Sequence, residues 1–106
     1  MKTLTPSALA TALQEDLEQP LILDVREASE VAWCQIPGSL HIPMGEISGR
    51  FHELDRNLKI VVLCHHGMRS AAVVSFLEKQ GFDEVFNLTG GIDAWSLEVD
   101  PSIRRY

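Results

Sequence analysis

An uninterrupted apolar run, Ile60–Leu63, is joined by a short polar segment to an amphipathic stretch that extends from Ala71 to Leu77. Four consecutive apolar residues are typical of a strand that is buried on both faces. The second stretch has the spacing of a helix that packs one face against such a strand. A buried strand followed by a covering helix is the repeating unit of parallel sheets, so this part of the chain predicts an α/β fold.

The same alternation of short apolar strands and amphipathic helices continues along the chain. The predicted strands are Leu21–Val25, Leu40–Ile42, Lys59–Leu63 and Asp83–Leu88. The predicted helices run from Thr5-Pro6 to about Leu17, over Ala28–Trp33, as one or two short helices over Met44–Leu54, and over Ser70–Gln80 and Ile92–Leu97. Residues 1–106 are expected to form one domain, with Lys59–Leu63 in the centre of a parallel sheet that helices cover on both faces.

The composition narrows the classes of protein to which the chain can belong. The formal net charge is −6 and the Lys and Arg residues are few and scattered, which argues against nucleic-acid binding. No apolar segment approaches the roughly 20 residues that span a bilayer, and the N-terminal residues lack the apolar core of a secretory signal. We therefore expect a cytoplasmic protein with free thiols and no membrane partner, and we expect it to be a monomer.

Cys64 lies directly after the predicted central strand, where open α/β sheets bind their ligands. The N–H groups of residues 65–70 and the positive end of the following helix would stabilise a thiolate there. A free cysteine titrates near about 8.5, and lowering its pKa by about two units requires roughly 2.7 kcal/mol of preferential thiolate stabilisation. Cys64 is therefore predicted to be a nucleophile; the alternative is a small buried apolar residue.

Three basic side chains, those of His65, His66 and Arg69, follow the cysteine and are expected to make the loop electropositive. Salt screens charges over about 8 Å at physiological ionic strength. The positive charge of the loop should therefore outweigh the negative charge of the distant surface, and the loop should accept an anion. Arg69 is expected either to brace the loop by pairing with a carboxylate such as Glu27, or to contact the anion. The two histidines are expected to point apart, with no carboxylate nearby, so no metal site is predicted.

The remaining loop residues are assigned by size and polarity. Gly67 lets the backbone curl closely around a bound sulfur atom, where a side chain would obstruct it. Met68 is expected to line the entrance of the site as an apolar contact. Ser70 is expected either to donate its hydroxyl to the cysteine sulfur or to cap the following helix. Together, residues 65–70 are predicted to form a substrate-binding loop.

Three residues outside the loop are also candidates for the site or its support. Asp24 and Arg26 are predicted to satisfy the loop backbone or each other beneath the site; alternatively, Arg26 contacts the anion. Cys34 is predicted to be a small, partly buried residue, and the alternative is a resolving thiol that forms a disulfide with Cys64 on oxidation. The neighbouring Trp33 is expected to be partly buried.

Four separated segments resemble the rhodanese (sulfurtransferase) family. They are Asp24-Val25-Arg26-Glu27, Ile36-Pro37-Gly38-Ser39 followed by Ile42-Pro43, the loop from Cys64 to Ser70, and Gly90-Gly91-Ile92-Asp93-Ala94-Trp95. Their order and spacing resemble a single-domain member over nearly the whole chain. Two positions depart from the pattern, since Cys34 lies where glycine is usual and Gln35 where histidine is usual. The resemblance implies a five-stranded parallel sheet flanked by helices.

The resemblance also implies that Cys64 carries sulfur as a persulfide. Its thiolate would attack the outer sulfur of thiosulfate, or of a related persulfide donor, and an acceptor such as cyanide or another thiol would then remove that sulfur. This chemistry requires no metal, nucleotide or organic cofactor. Transfer to or from a protein persulfide partner is compatible with the same mechanism.

Two other classes of function share parts of this pattern. Cysteine phosphatases and arsenate reductases use a similar loop for an oxyanion, but phosphatases typically place five residues between cysteine and arginine. Here four residues separate Cys64 from Arg69, and the tighter loop suits a sulfur atom better than a phosphoryl group. A binding or regulatory module without turnover is the second alternative, although rhodanese-like domains that have lost activity typically lack the cysteine.

Overall fold

The computed structural model describes residues 1–15 and 19–106. Five strands form one sheet in the order β1-β5-β4-β2-β3, and every neighbouring pair is parallel. The strands are β1 (Lys2–Leu4), β2 (Leu21–Asp24), β3 (Leu40–His41), β4 (Ile60–Leu63) and β5 (Val85–Leu88). The α/β fold, the parallel sheet and the central position of the most apolar strand are confirmed.

The edge strand β1 was not found by sequence analysis, which identified only the other four strands. It is three residues long, mostly exposed, and pairs with β5 in a register that places Leu4 opposite Leu88. A strand this short, with one half-buried apolar residue, has no detectable periodicity. β1 therefore forms because the free edge of β5 is available for pairing.

Within the described residues, four α-helices and two short 3-10 turns connect the strands, and a fifth α-helix follows β5. The helices are α1 (Pro6–Glu15), α2 (Ala28–Trp33), α3 (Ile47–Arg50), α4 (Met68–Lys79) and α5 (Gly91–Glu98), and the 3-10 turns are Met44–Glu46 and Phe51–Glu53. The predicted end of the first helix at Leu17 lies outside the described residues. Among the helices described here, none is both long and apolar enough to cross a bilayer.

The sheet has an apolar layer on each face, as the unbroken apolar character of β4 predicts. Ile60, Val62 and Cys64 lie on the face covered by α3 and α4. Val61 and Leu63 lie on the other face, which α1 and α5 cover. Alternation along β4 therefore directs the Cys64 side chain toward α4, whose N-terminus lies just beyond the loop.

An ion pair lies at the carboxyl end of β2, beside the end of β4. Asp24 is in register with Leu63, the residue before Cys64. The Arg26 guanidinium donates from Nη2 to Asp24 Oδ2 at 2.7 Å, and both side chains are fully buried. The sequence-based expectation that these two residues satisfy each other beneath the site is confirmed.

Asp24→Asn should destabilise the protein strongly, because it leaves the buried guanidinium of Arg26 without its counter-charge. We expect the free energy of unfolding in urea to fall by about 3 kcal/mol. Glu53→Gln is the matched control, since it removes one carboxylate from the exposed ion pair with Arg50 and should leave the unfolding midpoint nearly unchanged. Equal effects of the two substitutions would contradict a stabilising role for the buried pair.

Candidate active site

The Cys64 sulfur is enclosed by hydrogen-bond donors at the carboxyl end of β4. The residue is 1% exposed. The Gly67 N–H lies 3.1 Å from Sγ and the Ser70 hydroxyl lies 3.3 Å from it. The backbone N–H groups of Arg69 and Ser70, in the first turn of α4, also contribute to lowering the pKa of the thiol. Every one of these donors favours the thiolate over the thiol.

Two opposing effects determine the pKa of the Cys64 thiol. Burial raises this pKa, because a thiolate removed from water loses its solvation. The hydrogen bonds from the Ser70 hydroxyl and from the backbone N–H groups of residues 67, 69 and 70 outweigh burial, so the pKa lies below its ordinary value. The direction is the one that the loop sequence predicts.

Gly67 provides the bend that turns these N–H groups inward. Its φ of 114° lies in the left-handed region, and it occupies the position immediately before α4. A Cβ at this position would meet only ordinary van der Waals contacts, the nearest 3.7 Å away. Backbone conformation therefore favours glycine at this position. That a side chain here would obstruct a bound sulfur atom stays a prediction.

Asn87, on β5, is a site residue that sequence analysis missed. Its Nδ2 donates to the Gly67 carbonyl at 3.1 Å, and its Oδ1 accepts from the Ser70 hydroxyl at 2.5 Å. Ser70 has a single hydroxyl proton, so Asn87 and the thiolate compete for it. The sequence signal for Asn87 was a polar residue within a buried strand. Ser70 lies inside α4, so it donates toward the sulfur and does not cap the helix.

Arg69 braces the loop through an acidic residue other than the one proposed. Its Nη1 and Nη2 donate to the two carboxylate oxygens of Glu30 at 2.7 and 2.9 Å. Pairing with Glu27 is therefore wrong: Glu27 precedes α2, is exposed, and donates its N–H to Glu30 Oε1. Arg69 lowers the pKa of Glu30 to about 2, so this ion pair persists at neutral pH.

The N-terminus of α5 holds the other side of the loop. The Ile92 N–H donates to the Cys64 carbonyl at 2.9 Å, and the Asp93 N–H donates to the His65 carbonyl at 3.2 Å. Gly91 makes this approach possible, since a Cβ there would overlap both carbonyl oxygens. Gly91 also has a φ of 63°. The Gly90-Gly91 pair thus allows the N-terminus of α5 to pack closely against the cysteine loop.

The two histidines do not point apart, contrary to expectation. Their ring centroids are 3.9 Å apart, and His66 Nε2 lies 3.7 Å from an Asp93 carboxylate oxygen. His65, His66 and Asp93 each place one potential metal ligand within 4.8 Å of the others. Arg105 already donates to both Asp93 oxygens, so a metal ion would have to displace this guanidinium. The absence of a metal site stays a prediction.

The positive charge expected of the loop is largely cancelled. Burial and the neighbouring His66 hold the pKa of His65 below its usual value, which disfavours the charged form of this imidazole. The Arg69 guanidinium is paired with Glu30. Stabilisation of an anion at Cys64 therefore comes mainly from backbone N–H groups and the end of α4, and less from side-chain charge.

The site thus consists of a buried thiol in a tight loop of N–H donors, at the carboxyl end of a central parallel strand. Known proteins share this fold. The family model for the rhodanese-like domain matches residues 5–98. The chain belongs to the rhodanese-like domain family.

Relatives of this rhodanese-like domain carry sulfurtransferase names. A Bacillus subtilis protein with the name "Putative sulfurtransferase YtwF" is 40% identical over 95% of this chain and 96% of its own. Thiosulfate sulfurtransferase GlpE of Pseudoalteromonas translucida is 31% identical over 85% and 86%. A solved rhodanese-like domain protein of Staphylococcus aureus superposes with a TM-score of 0.86, at 34% identity, over 100% and 99% of the two chains.

Arg26 is fully occupied by protein acceptors in this rhodanese-like domain. Besides Asp24, it donates from Nη2 to the Cys34 carbonyl at 2.7 Å and from Nη1 to the Tyr106 hydroxyl at 3.1 Å. Asp24 and Tyr106 raise its pKa against the opposing effect of burial. The geometry favours bracing over the alternative in which Arg26 contacts the anion.

The environment of Cys34 favours the simpler of its two interpretations. Its side chain is half-buried and packs in the apolar layer that α1 and α5 cover, whereas Cys64 faces the opposite layer. Both are free thiols. The expectation that Trp33 is partly buried is wrong, because Trp33 is exposed and Arg104 lies over its ring. Met68 is 86% exposed at the start of α4, and its role at the entrance of the site stays a prediction.

Ser70→Ala should decrease the thiolate fraction of Cys64 by removing one donor. We expect alkylation by iodoacetamide at pH 7 to slow on the order of tenfold, because a hydrogen bond to an ionised group contributes roughly 1.5 kcal/mol. The pH midpoint of alkylation should move upward. Ser75→Ala, on the same helix but away from the loop, is the control. An unchanged midpoint in Ser70→Ala would exclude the hydroxyl as a thiolate donor.

Gly91→Ala should displace the cysteine loop, because its Cβ overlaps two loop carbonyls. Gly38→Ala is the matched control: Gly38 has a φ of 83° but open space around its Cβ position. We expect the control to lose roughly 1–2 kcal/mol of stability from conformational strain alone. Gly91→Ala should lose about 2 kcal/mol more and slow Cys64 alkylation. Identical losses in urea unfolding would contradict the close approach of α5.

Proposed function

We propose that this domain is a thiosulfate sulfurtransferase that works through a Cys64 persulfide. The observation that carries the proposal is the buried thiol, whose pKa is lowered by the Ser70 hydroxyl and by the N–H groups of residues 67, 69 and 70. Sulfur transfer in general is the activity of the family. Thiosulfate as donor rests on the loop chemistry and on the names of the GlpE relatives.

The proposed reaction has two half-reactions that balance. The Cys64 thiolate attacks the outer sulfur of thiosulfate, a new S–S bond forms, and the old S–S bond breaks as sulfite leaves with the electron pair. The product is the anionic persulfide Cys64–S–S⁻. Cyanide or a thiolate then attacks the terminal sulfur, leaves as thiocyanate or as a persulfide, and restores the Cys64 thiolate. No metal or organic cofactor takes part.

The same donors serve both states of the cysteine. The negative charge moves outward by one sulfur atom when the persulfide forms, and we expect the N–H groups that stabilise the thiolate to stabilise it there as well. Because the Arg69 guanidinium is held by Glu30 on both nitrogens, it is not free to bind the three equatorial oxygens of a phosphoryl group. This pairing supports sulfur transfer over the phosphatase and arsenate reductase alternative.

A protein persulfide could replace thiosulfate as donor in the same mechanism, and a module without turnover is the alternative outside catalysis. The retained, activated thiol supports turnover. The relative rates of loading from thiosulfate and from a protein persulfide would separate the two donors. We propose the reducing cytoplasm as the setting, because the free thiol must remain available for sulfur.

The direct test is the intact mass of the reduced protein after incubation with thiosulfate. Wild type should gain the mass of one sulfur atom and release thiocyanate when cyanide is added. Cys64→Ser should gain nothing while retaining the wild-type unfolding midpoint. Cys34→Ser is the matched control for thiol content and should load like wild type. Loading that persists in Cys64→Ser, or is absent from wild type, would reject the proposal.

A further inference from the structure

The segment from Ile103 to Tyr106 crosses the carboxyl edge of the sheet between α5 and α2. The Ser96 hydroxyl donates to the Ile103 carbonyl at 2.7 Å. Arg104 lies 3.7 Å from the centroid of the Trp33 ring, and Arg105 pairs with Asp93. Consecutive residues of this segment therefore contact α5 and α2 in turn, which holds the segment over the active-site loop.

Tyr106 contacts one end of the cysteine loop directly and is linked to the other end of the loop through the Glu30 carboxylate. Its ring stacks on the ring of His65, the residue after Cys64, with centroids 3.9 Å apart and planes at 7°. Its hydroxyl donates to Glu30 Oε2 at 2.6 Å. Glu30 in turn binds the Arg69 guanidinium on both nitrogens. The loop between these two attachment points contains Gly67, whose N–H donates to the Cys64 sulfur.

We propose that Tyr106 is a positioning residue of the active site, which clamps both ends of the loop 65–69 and so holds the thiolate donors around Cys64. Its effect on sulfur transfer rests on the proposed function. Its effect on the Cys64 thiolate does not, because the thiolate can be measured without any sulfur donor.

The hydroxyl of Tyr106 also connects the clamp to the rigid interior. It accepts a hydrogen bond from Nη1 of Arg26, whose guanidinium is anchored by the buried Asp24. The clamp is therefore attached to a fully buried ion pair and not only to exposed side chains. A loop held at both ends keeps its N–H groups aimed at the sulfur, whereas a loose loop spreads them over many orientations.

The clamp predicts distinct effects for two substitutions. Tyr106→Ala removes both the stack and the hydroxyl, and we expect it to slow iodoacetamide alkylation of Cys64 at pH 7 about tenfold. Tyr106→Phe keeps the stack on His65 and loses the links to Glu30 and Arg26, so about a threefold decrease is expected. Persulfide loading from thiosulfate should fall by the same factors, because the thiolate is the nucleophile in both reactions.

The measurement is the alkylation rate across a pH series, which separates thiolate stability from access. The midpoint of the series reports the thiolate, which the Ser70 hydroxyl and the N–H groups of residues 67, 69 and 70 stabilise. The plateau at high pH reports access of the reagent to the sulfur. The proposal requires the midpoint to rise in Tyr106→Ala and, by a smaller amount, in Tyr106→Phe.

Arg104→Ala is the matched control, because it removes a contact with the exposed Trp33 and keeps both the ring and the hydroxyl of Tyr106, so it should shift the midpoint less than either Tyr106 variant. In a Glu30→Ala background, Tyr106→Phe should add little, since the hydroxyl acts mainly through Glu30. An unchanged midpoint in both Tyr106 variants, or an equal shift in Arg104→Ala, would overturn the proposal. If wild type fails to load sulfur, the proposed function fails while the alkylation series still tests the clamp.

Discussion

Ionising a sulfur that is almost completely removed from water requires hydrogen-bond donors in place of solvent, and this requirement organises the carboxyl edge of the sheet. The donors at Cys64 belong mostly to the backbone of a short loop. Backbone N–H groups cannot be placed independently of one another, so the loop must be held as a unit. The left-handed Gly67, the amide of Asn87 and the N-terminus of α5 each hold one part of it.

A second layer of alternating charge lies behind these donors. Asp24, Arg26, the Tyr106 hydroxyl, Glu30 and Arg69 form a continuous chain of hydrogen bonds from the buried interior to the loop. Removing one member leaves its neighbour with an uncompensated charge or an unsatisfied donor. Through this chain of hydrogen bonds, the position of the loop depends on residues that do not contact the sulfur. Residues of α2 and of the segment 103–106 therefore affect the thiol indirectly.

Features that depend on neighbouring residues were predictable from the sequence, whereas features that depend on distant segments were not. The apolar run Ile60–Leu63 and the loop after it were sufficient to identify the central strand and the reactive cysteine. That Arg69 has an acidic partner was also predictable, but its identity was not, because Glu27 and Glu30 lie on the same short segment. Only the orientation of α2 in the fold directs Glu30 toward Arg69. The closeness of the two histidine rings was not foreseen, since the His65 ring also stacks on Tyr106, which is distant in sequence.

The sequence by itself determined the α/β class, the position of Cys64 at the end of a buried strand and the glycine-dependent bend of its loop. These features depend on periodicity and on backbone conformations within a few neighbouring residues. The tertiary structure alone decided the edge strand β1, the role of Asn87, the partner of Arg69 and the position of Tyr106. Each of these depends on contacts between distant segments, whose geometry is set only when the sheet and its covering helices pack together.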